Sequence, residues 1–182
     1  MKYYKELQLK DSRTCILRNG TAEDGQAVFE IFNLTHEQTD WLLSYPDENS
    51  FDAAQEAEFL QKKTDSADEI EIVAEIDGKI VGTAGIECTF RKYKMQHRAE
   101  FGISVDKAYW GLGVGRVLTE ACIECARAAG YTQLELGVVA DNERAVSLYE
   151  SEGFVEFGRN PRGFNSRLTG YQPLVLMRLE LD

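Results

Sequence analysis

The stretch "YWGLGVGRVL", residues 109–118, constrains this chain more than any other. It sets three glycines, Gly111, Gly113 and Gly115, at alternate positions between a strand candidate and an amphipathic helix candidate. Small residues at such a junction let successive backbone N–H groups point at one anion, and the helix that follows adds the positive end of its dipole. Leu112, Gly113, Val114, Gly115 and Arg116 form the candidate nest, with the Arg116 side chain free to pair with a second phosphate oxygen. Two nucleotide readings fail on spacing. A dinucleotide turn places GxGxxG directly after its strand, whereas here the pattern is GxGxG, Arg116 stands at the third-glycine position and "DKAYW" intervenes. A P-loop ends in GK[ST], which this segment lacks. The plainer alternative is that the glycines serve only close helix packing.

The flanks of the turn set the fold class. "VGRVLTEACIECARAAG" places Val114, Val117, Leu118, Ala121, Cys122 and Cys125 on one face, with Gly130 as its stop. Alternation through Ile70, Ile72, Ala74 and Ile76, an Asp77-Gly78 turn and the run from Ile80 predict a hairpin, and "HRAEFGISV" predicts a further strand. "TCILR" reads as a strand before a helix that Thr21 can cap. "QLELGVV", "FVEFG" and "PLVLMRLEL" read as later strands, with a short helix from Asp141 or Asn142 to Gly153 between the first two. The sum is an α/β fold, one domain over residues 1–182, with a mixed sheet covered by helices.

Composition narrows the partners. A formal net charge of -11 argues against nucleic-acid binding, which needs clustered Lys and Arg, and weakly favours a cationic substrate. No run approaches the roughly 18 apolar residues of a membrane span, and "MKYYKELQLK" carries no apolar leader, so a cytoplasmic protein without membrane partners is expected. Cys122 and Cys125 form a CxxC on the apolar face of a helix with no second ligand pair; buried thiols are expected, and no metal. From Glu37 to Glu58 there are seven acidic residues and no Lys or Arg, interleaved with Trp41, Leu42, Leu43, Tyr45 and Phe51. That stretch is either a solvated surface or an acidic, aromatic-lined substrate wall.

"WGLGVG" followed by "VVADNERAVSLYESEGF" resembles the core of the GCN5-related N-acetyltransferase (GNAT) family: a strand, an [RQ]xxGx[GA] turn and helix, a strand ending near an Asn, then a helix carrying LYxxxGF. About 60 residues carry the likeness, and Trp110 stands where the family has Arg or Gln. The resemblance implies a GNAT fold with a mostly antiparallel central sheet of about seven strands flanked by helices. It implies transfer of an acetyl group from the thioester of acetyl-CoA, as co-substrate, to a primary amine of a small molecule or a protein. The alternative is a non-catalytic acyl-CoA-binding or sensor domain of the same fold.

In that family the pyrophosphate of coenzyme A sits on the turn amides, and the pantetheine arm runs along the strand Phe101 to Val105 through Ile103, Ser104 and Val105. Asn142 then hydrogen-bonds the arm. A strand N–H near Ile103, freed by a bulge, meets the oxyanion. Tyr149 becomes the candidate proton donor to the leaving sulfur, and Glu100 and Glu87 the candidate bases, ahead of His36 and His97. The loop "RNPRGFNSRLTGYQ" would form a second substrate wall through Arg159, Arg162 and Arg167, leaving an amino acid, a peptide N-terminus or a polyamine as acceptors. Closing strands in this family often help form dimers, so a homodimer is a further expectation.

Overall fold

A computed structural model describes residues 1–181 of the chain. Its strands are β1 (Tyr4–Gln8), β2 (Thr14–Asn19), β3 (Ile70–Ile76), β4 (Lys79–Cys88), β5 (Arg98–Val105), β6 (Gln133–Val139), β7 (Val155–Ser166) and β8 (Gly170–Glu180). Its helices are α1 (Gly25–Gln38), α2 (Ala53–Asp65), α3 (Val114–Ala128) and α4 (Glu143–Ser151). All eight strands join one sheet in the order β1-β2-β3-β4-β5-β6-β8-β7. Every pairing is antiparallel except that of β5 with β6.

The mixed, mostly antiparallel sheet is as expected, but it has eight strands rather than about seven. The unexpected one is β1, an edge strand exposed on nearly every residue. With no buried face it carries no apolar alternation by which the sequence could reveal it.

The two faces bury different helices. On one, α3 and Tyr149 of α4 pack on Ile70, Ile72, Ala84, Ile86, Ala99 and Phe101, the main core. On the other, Val28 and Ile31 of α1 and Leu60 of α2 cover Val73 and Ile80. Cys122 and Cys125 are buried in the main core, where desolvation pushes both thiols up, away from the reactive thiolate.

Local chemistry explains most of the boundaries. Asp77 and Gly78 both take positive φ and turn β3 into β4. Asp52 caps α2, accepting the N–H groups of Ala54 and Gln55 at 2.9 Å each, while the Gln55 side chain accepts the Asp52 N–H at 3.0 Å. Gly130 and Gly153, both left-handed, stop α3 and α4.

Two expectations change here. The loop foreseen between the last strands is instead most of a long hairpin: β7 runs on from "FVEFG" to Ser166, with register shifts near Gly158 and between Asn160 and Phe164. Irregular pairing at Pro161 and Gly163 hid that strand from any period-2 reading. And β5 pairs with β4 without a shift from Ala99 to Val105, so the bulge expected near Ile103 is absent.

Candidate active site

In place of a bulge, the sheet itself parts. β5 pairs with β6 only where Arg98–Glu100 meets Gln133–Glu135. Beyond that point β5 stays with β4 as far as Val105, and β6 stays with β8 as far as Val139. Five residues of β5, roughly 16 Å of strand, thus present an edge with no strand partner on the β6 side. Phe101, Gly102, Ile103, Ser104 and Val105 line that edge. The Val105 carbonyl is already engaged: it accepts the indole N–H of Trp110 at 2.8 Å.

That bond accounts for Trp110. Where a flexible Arg or Gln was expected, the indole ties the turn to the end of β5. The Arg144 guanidinium lies 5.1 Å and the Lys107 ammonium 5.9 Å from its ring.

The glycine turn opens at the mouth of the split. Gly111 and Gly113 are left-handed, at φ 83° and 103°, a region glycine reaches without strain. Gly113 is the N-cap of α3 and has no side chain to cap with; the first intrahelical bond runs from Val117 N–H to the Gly113 carbonyl at 3.1 Å. The N–H groups of Val114, Gly115 and Arg116 therefore have no intrahelical acceptor, at the positive end of a 15-residue helix. The Arg116 side chain is not free as expected. It donates to Glu152 and, at 2.9 Å, to the Ser151 hydroxyl, so only its backbone N–H faces the turn. Sequence reading also missed the β1–β2 loop beside the turn. Lys10 N–H donates to the Leu112 carbonyl at 3.3 Å, and the Arg13 guanidinium lies 5.2 Å from the Tyr109 ring.

Tyr149 stands where the strands begin to diverge. It is 7% exposed, edge-on to Phe101 at 6.0 Å and 5.9 Å from the Phe154 ring, and burial pushes its phenol far above the ordinary value. It stays protonated through neutral pH. Asn142 caps α4, its Oδ1 accepting the Ala145 N–H at 3.3 Å, which leaves its amide N–H groups as the donors for any ligand.

The carboxylates sit on the other face. Glu87 and Glu100 are direct cross-strand partners on β4 and β5, with Cβ atoms roughly 5 Å apart. Lys63 of α2, 3% exposed, lies 2.6 Å from Glu87 and 3.7 Å from Glu69. Glu87 is therefore held by an ammonium, whereas Glu100 is exposed on the same face.

Glu71 was not foreseen. Its Oε2 lies over Gly85, where a Cβ would collide with it. Desolvation pushes its carboxyl up to about 7; Glu56 and Glu87 add to the rise, while Thr83 and Lys63 oppose it. The signal was a Glu next to Ile70 in a strand whose opposite partner is a glycine, legible only once register is known. His36 is buried against Phe32, its Nδ1 2.7 Å from the Phe32 carbonyl, and burial lowers its pKa; His97 is exposed.

Opposite the turn, the segment after α1 is latched to the β7–β8 hairpin. Ser166 donates to Asp40, Tyr45 donates to Asp40 at 2.8 Å, and the Arg167 N–H donates to the Tyr45 hydroxyl at 2.7 Å. Of the three arginines expected to make a cationic wall, two are ion-paired nearby and one stacks on an aromatic ring. Arg159 pairs with Glu156, Arg162 stacks on Tyr171 at 3.9 Å, and Arg167 pairs with Asp47 and Glu48.

A parted mixed sheet with an open, glycine-led helix terminus at its mouth defines the acetyltransferase fold class. The match to the acetyltransferase (GNAT) family spans residues 27–154, and the chain belongs to that family.

Among relatives, the chain is similar to the N-alpha-acetyltransferase RimI of Mycobacterium tuberculosis, 36% identical over 101 residues, which are 56% of this chain and 60% of that protein. It is also similar to the L-amino acid N-acetyltransferase AaaT of Escherichia coli, 36% identical over 85 residues, 46% of this chain and 52% of that one. The chain thus spans about half the length of such curated relatives. Among solved structures, an acetyltransferase of the GNAT family from Streptococcus pneumoniae superposes with a TM-score of 0.87 at 28% identity, covering 92% of this chain and 99% of that one. The fold is shared with yncA from Salmonella typhimurium with its cofactor acetyl-CoA, at TM-score 0.81 and 22% identity, over 92% of this chain and 94% of that one. No helix among the described residues is long and apolar enough to cross a membrane.

Proposed function

We propose that residues 1–182 form one acetyltransferase domain, cytoplasmic, that moves the acetyl group of acetyl-CoA onto a primary amine of a small molecule or a protein. The observation that carries this reading is the uncapped N-terminus of α3 at the mouth of the β5–β6 split. It supplies backbone donors for a pyrophosphate beside a strand edge able to pair with an extended amide-bearing arm. Family membership and the amine-acetylating names of the relatives support the same reading.

These residues fit acetyl-CoA, which supplies an activated acetyl thioester. The N–H groups of Leu112, Gly113, Val114, Gly115 and Arg116 would hold its pyrophosphate; Ile103, Ser104 and the Asn142 amide would hold its arm. Backbone N–H groups on the unpartnered β5 edge are the candidate donors to the acetyl oxygen as it gains charge. Tyr149, kept neutral by burial, would hold the proton that the departing sulfur needs. On the opposite face Glu100 is the foremost acceptor for the proton of the amine. Glu87 is secondary because Lys63 holds it, and Glu71 is a carboxylate already tuned near neutral pH.

Thiol release from acetyl-CoA, followed against a panel of primary amines, tests the proposal. Amine-dependent release supports it; tight acetyl-CoA binding with no release by any amine would favour the sensor domain instead.

A further inference from the structure

At the mouth of the split lies a cleft of about 360 Å³ lined from both sides. Asp40 and Trp41 come from the segment after α1, Lys107 and Trp110 from the chain beyond β5, and Asp141 from the chain beyond β6. One contact spans the mouth. Arg144, the second residue of α4, stands two positions past Asn142, and its guanidinium lies 5.1 Å from the centre of the Trp110 ring. A side chain from the β6 side thus meets one from the β5 side, and an arm that touches both Asn142 and the turn amides must pass beside that guanidinium.

The turn has no other arginine to offer an anion. Arg116 is drawn off to Glu152 and the Ser151 hydroxyl, Arg13 is paired with Asp11 at 2.7 Å, and position 110 is a tryptophan. Arg144 is exposed and joins no ion pair among the described residues, although Asp141 and Glu143 are close to it in sequence. A guanidinium placed on an indole keeps its in-plane N–H donors, so the Trp110 contact orients Arg144 without using up its hydrogen bonds. The platform is itself fixed, because Trp110 Nε1 donates to the Val105 carbonyl at 2.8 Å, and Lys107 brings a second positive charge to the same ring at 5.9 Å. In a chain of net charge -11, these two cations offset the general repulsion of an anionic ligand where the turn amides are open.

We infer that Arg144 is the side-chain cation of the co-substrate site: it pairs from across the split with the pyrophosphate held on the turn amides, and Trp110 is the platform that aims it. This deepens the acetyl-CoA reading and rests on it. Pairing of a guanidinium with phosphate oxygens is charge-assisted and sensitive to salt, whereas the β5 edge and Asn142 offer the arm only neutral hydrogen bonds.

Calorimetric titrations with acetyl-CoA, with its dephospho form lacking the 3′-phosphate, and with S-acetylpantetheine, which has no phosphate, test this. Alanine is tolerated at an exposed helical position, so Arg144→Ala should fold as the wild type does. It should bind acetyl-CoA and the dephospho form about tenfold more weakly at low salt, a loss that shrinks to about twofold near 1 M salt. Affinity for S-acetylpantetheine should stay within about twofold, and Arg144→Lys, which keeps the charge but not the planar fork, should recover part of the loss. An unaltered acetyl-CoA Kd in Arg144→Ala overturns the inference. So does an equal loss with S-acetylpantetheine, which would mark an arm contact, or a loss that vanishes with the dephospho form, which would move Arg144 to the 3′-phosphate. Wild-type protein that fails to bind acetyl-CoA would sink the acetyl-transfer reading and this inference together; tight binding by both wild type and Arg144→Ala would sink this inference alone.

Discussion

At the helix end of the groove the donors are the backbone N–H groups of Val114, Gly115 and Arg116, ordered by two left-handed glycines within a few residues of chain. At the other end the contacts are between side chains far apart in sequence: Asp40 with Ser166, 126 residues away, and Arg167 with Asp47, 120 residues away. A site made of backbone tolerates side-chain change provided the turn keeps its shape, which is how Trp110 can stand at the first position of the turn. A site made of side chains changes its ligand with each substitution. In the proposed reading the first region holds the co-substrate and the second selects the acceptor.

Gly113→Asp gives the largest expected effect, because it sets a carboxylate on the open N–H groups and a Cβ in a left-handed position. Acetyl-CoA should bind about 1000-fold more weakly, on the order of 4 kcal/mol, in a calorimetric titration, while acceptor binding is kept. An unaltered Kd would break the assignment of the turn. Next, Tyr149→Phe keeps the packing on Phe101 and Phe154 and removes only the hydroxyl, so kcat should fall about 100-fold with acetyl-CoA affinity preserved. If steady-state rates match the wild type, another group donates the proton.

At the acceptor end, Ser166→Ala removes the donor to Asp40 and the acceptor for the N–H groups of Leu168 and Thr169. KM for the amine should rise about fivefold, roughly 1 kcal/mol, with acetyl-CoA affinity unchanged. A shift in acetyl-CoA binding of the same size would erase the division between the two ends.

The last effect falls on stability rather than on turnover. Folded Glu71 holds its proton up to about pH 7, above the ordinary carboxylate range of the unfolded chain, so folding loses stability as pH rises through roughly 4.5 to 7. Glu71→Gln should therefore raise Tm at pH 8, by the equivalent of on the order of 2 kcal/mol, and the gain should vanish near pH 4.5. A gain independent of pH would show that the carboxyl is not desolvated.

The same division explains what the sequence revealed. The turn, α3, Asn142 as cap and Tyr149 are all set by patterns spanning a few residues, and each lies where those patterns predict. β1 was hidden because neither of its faces is buried, and the length of β7 because Pro161 and Gly163 interrupt its period. Glu71, the Arg116–Glu152 pair and the Asp40–Ser166 latch depend on register or on contacts across the fold, which no local pattern encodes. The acidic stretch from Glu37 to Glu58 divides between the two readings given to it. Asp40 and Trp41 line the cleft, whereas Asp52 caps α2 and Asp47 faces Arg167.

Amine-dependent thiol release from acetyl-CoA, measured side by side for the wild type and Gly113→Asp, tests the central claim most directly. The account predicts release that requires both a primary amine and an intact turn. Release that persists at wild-type affinity for acetyl-CoA in Gly113→Asp, or no release from wild-type protein that binds acetyl-CoA, would contradict it.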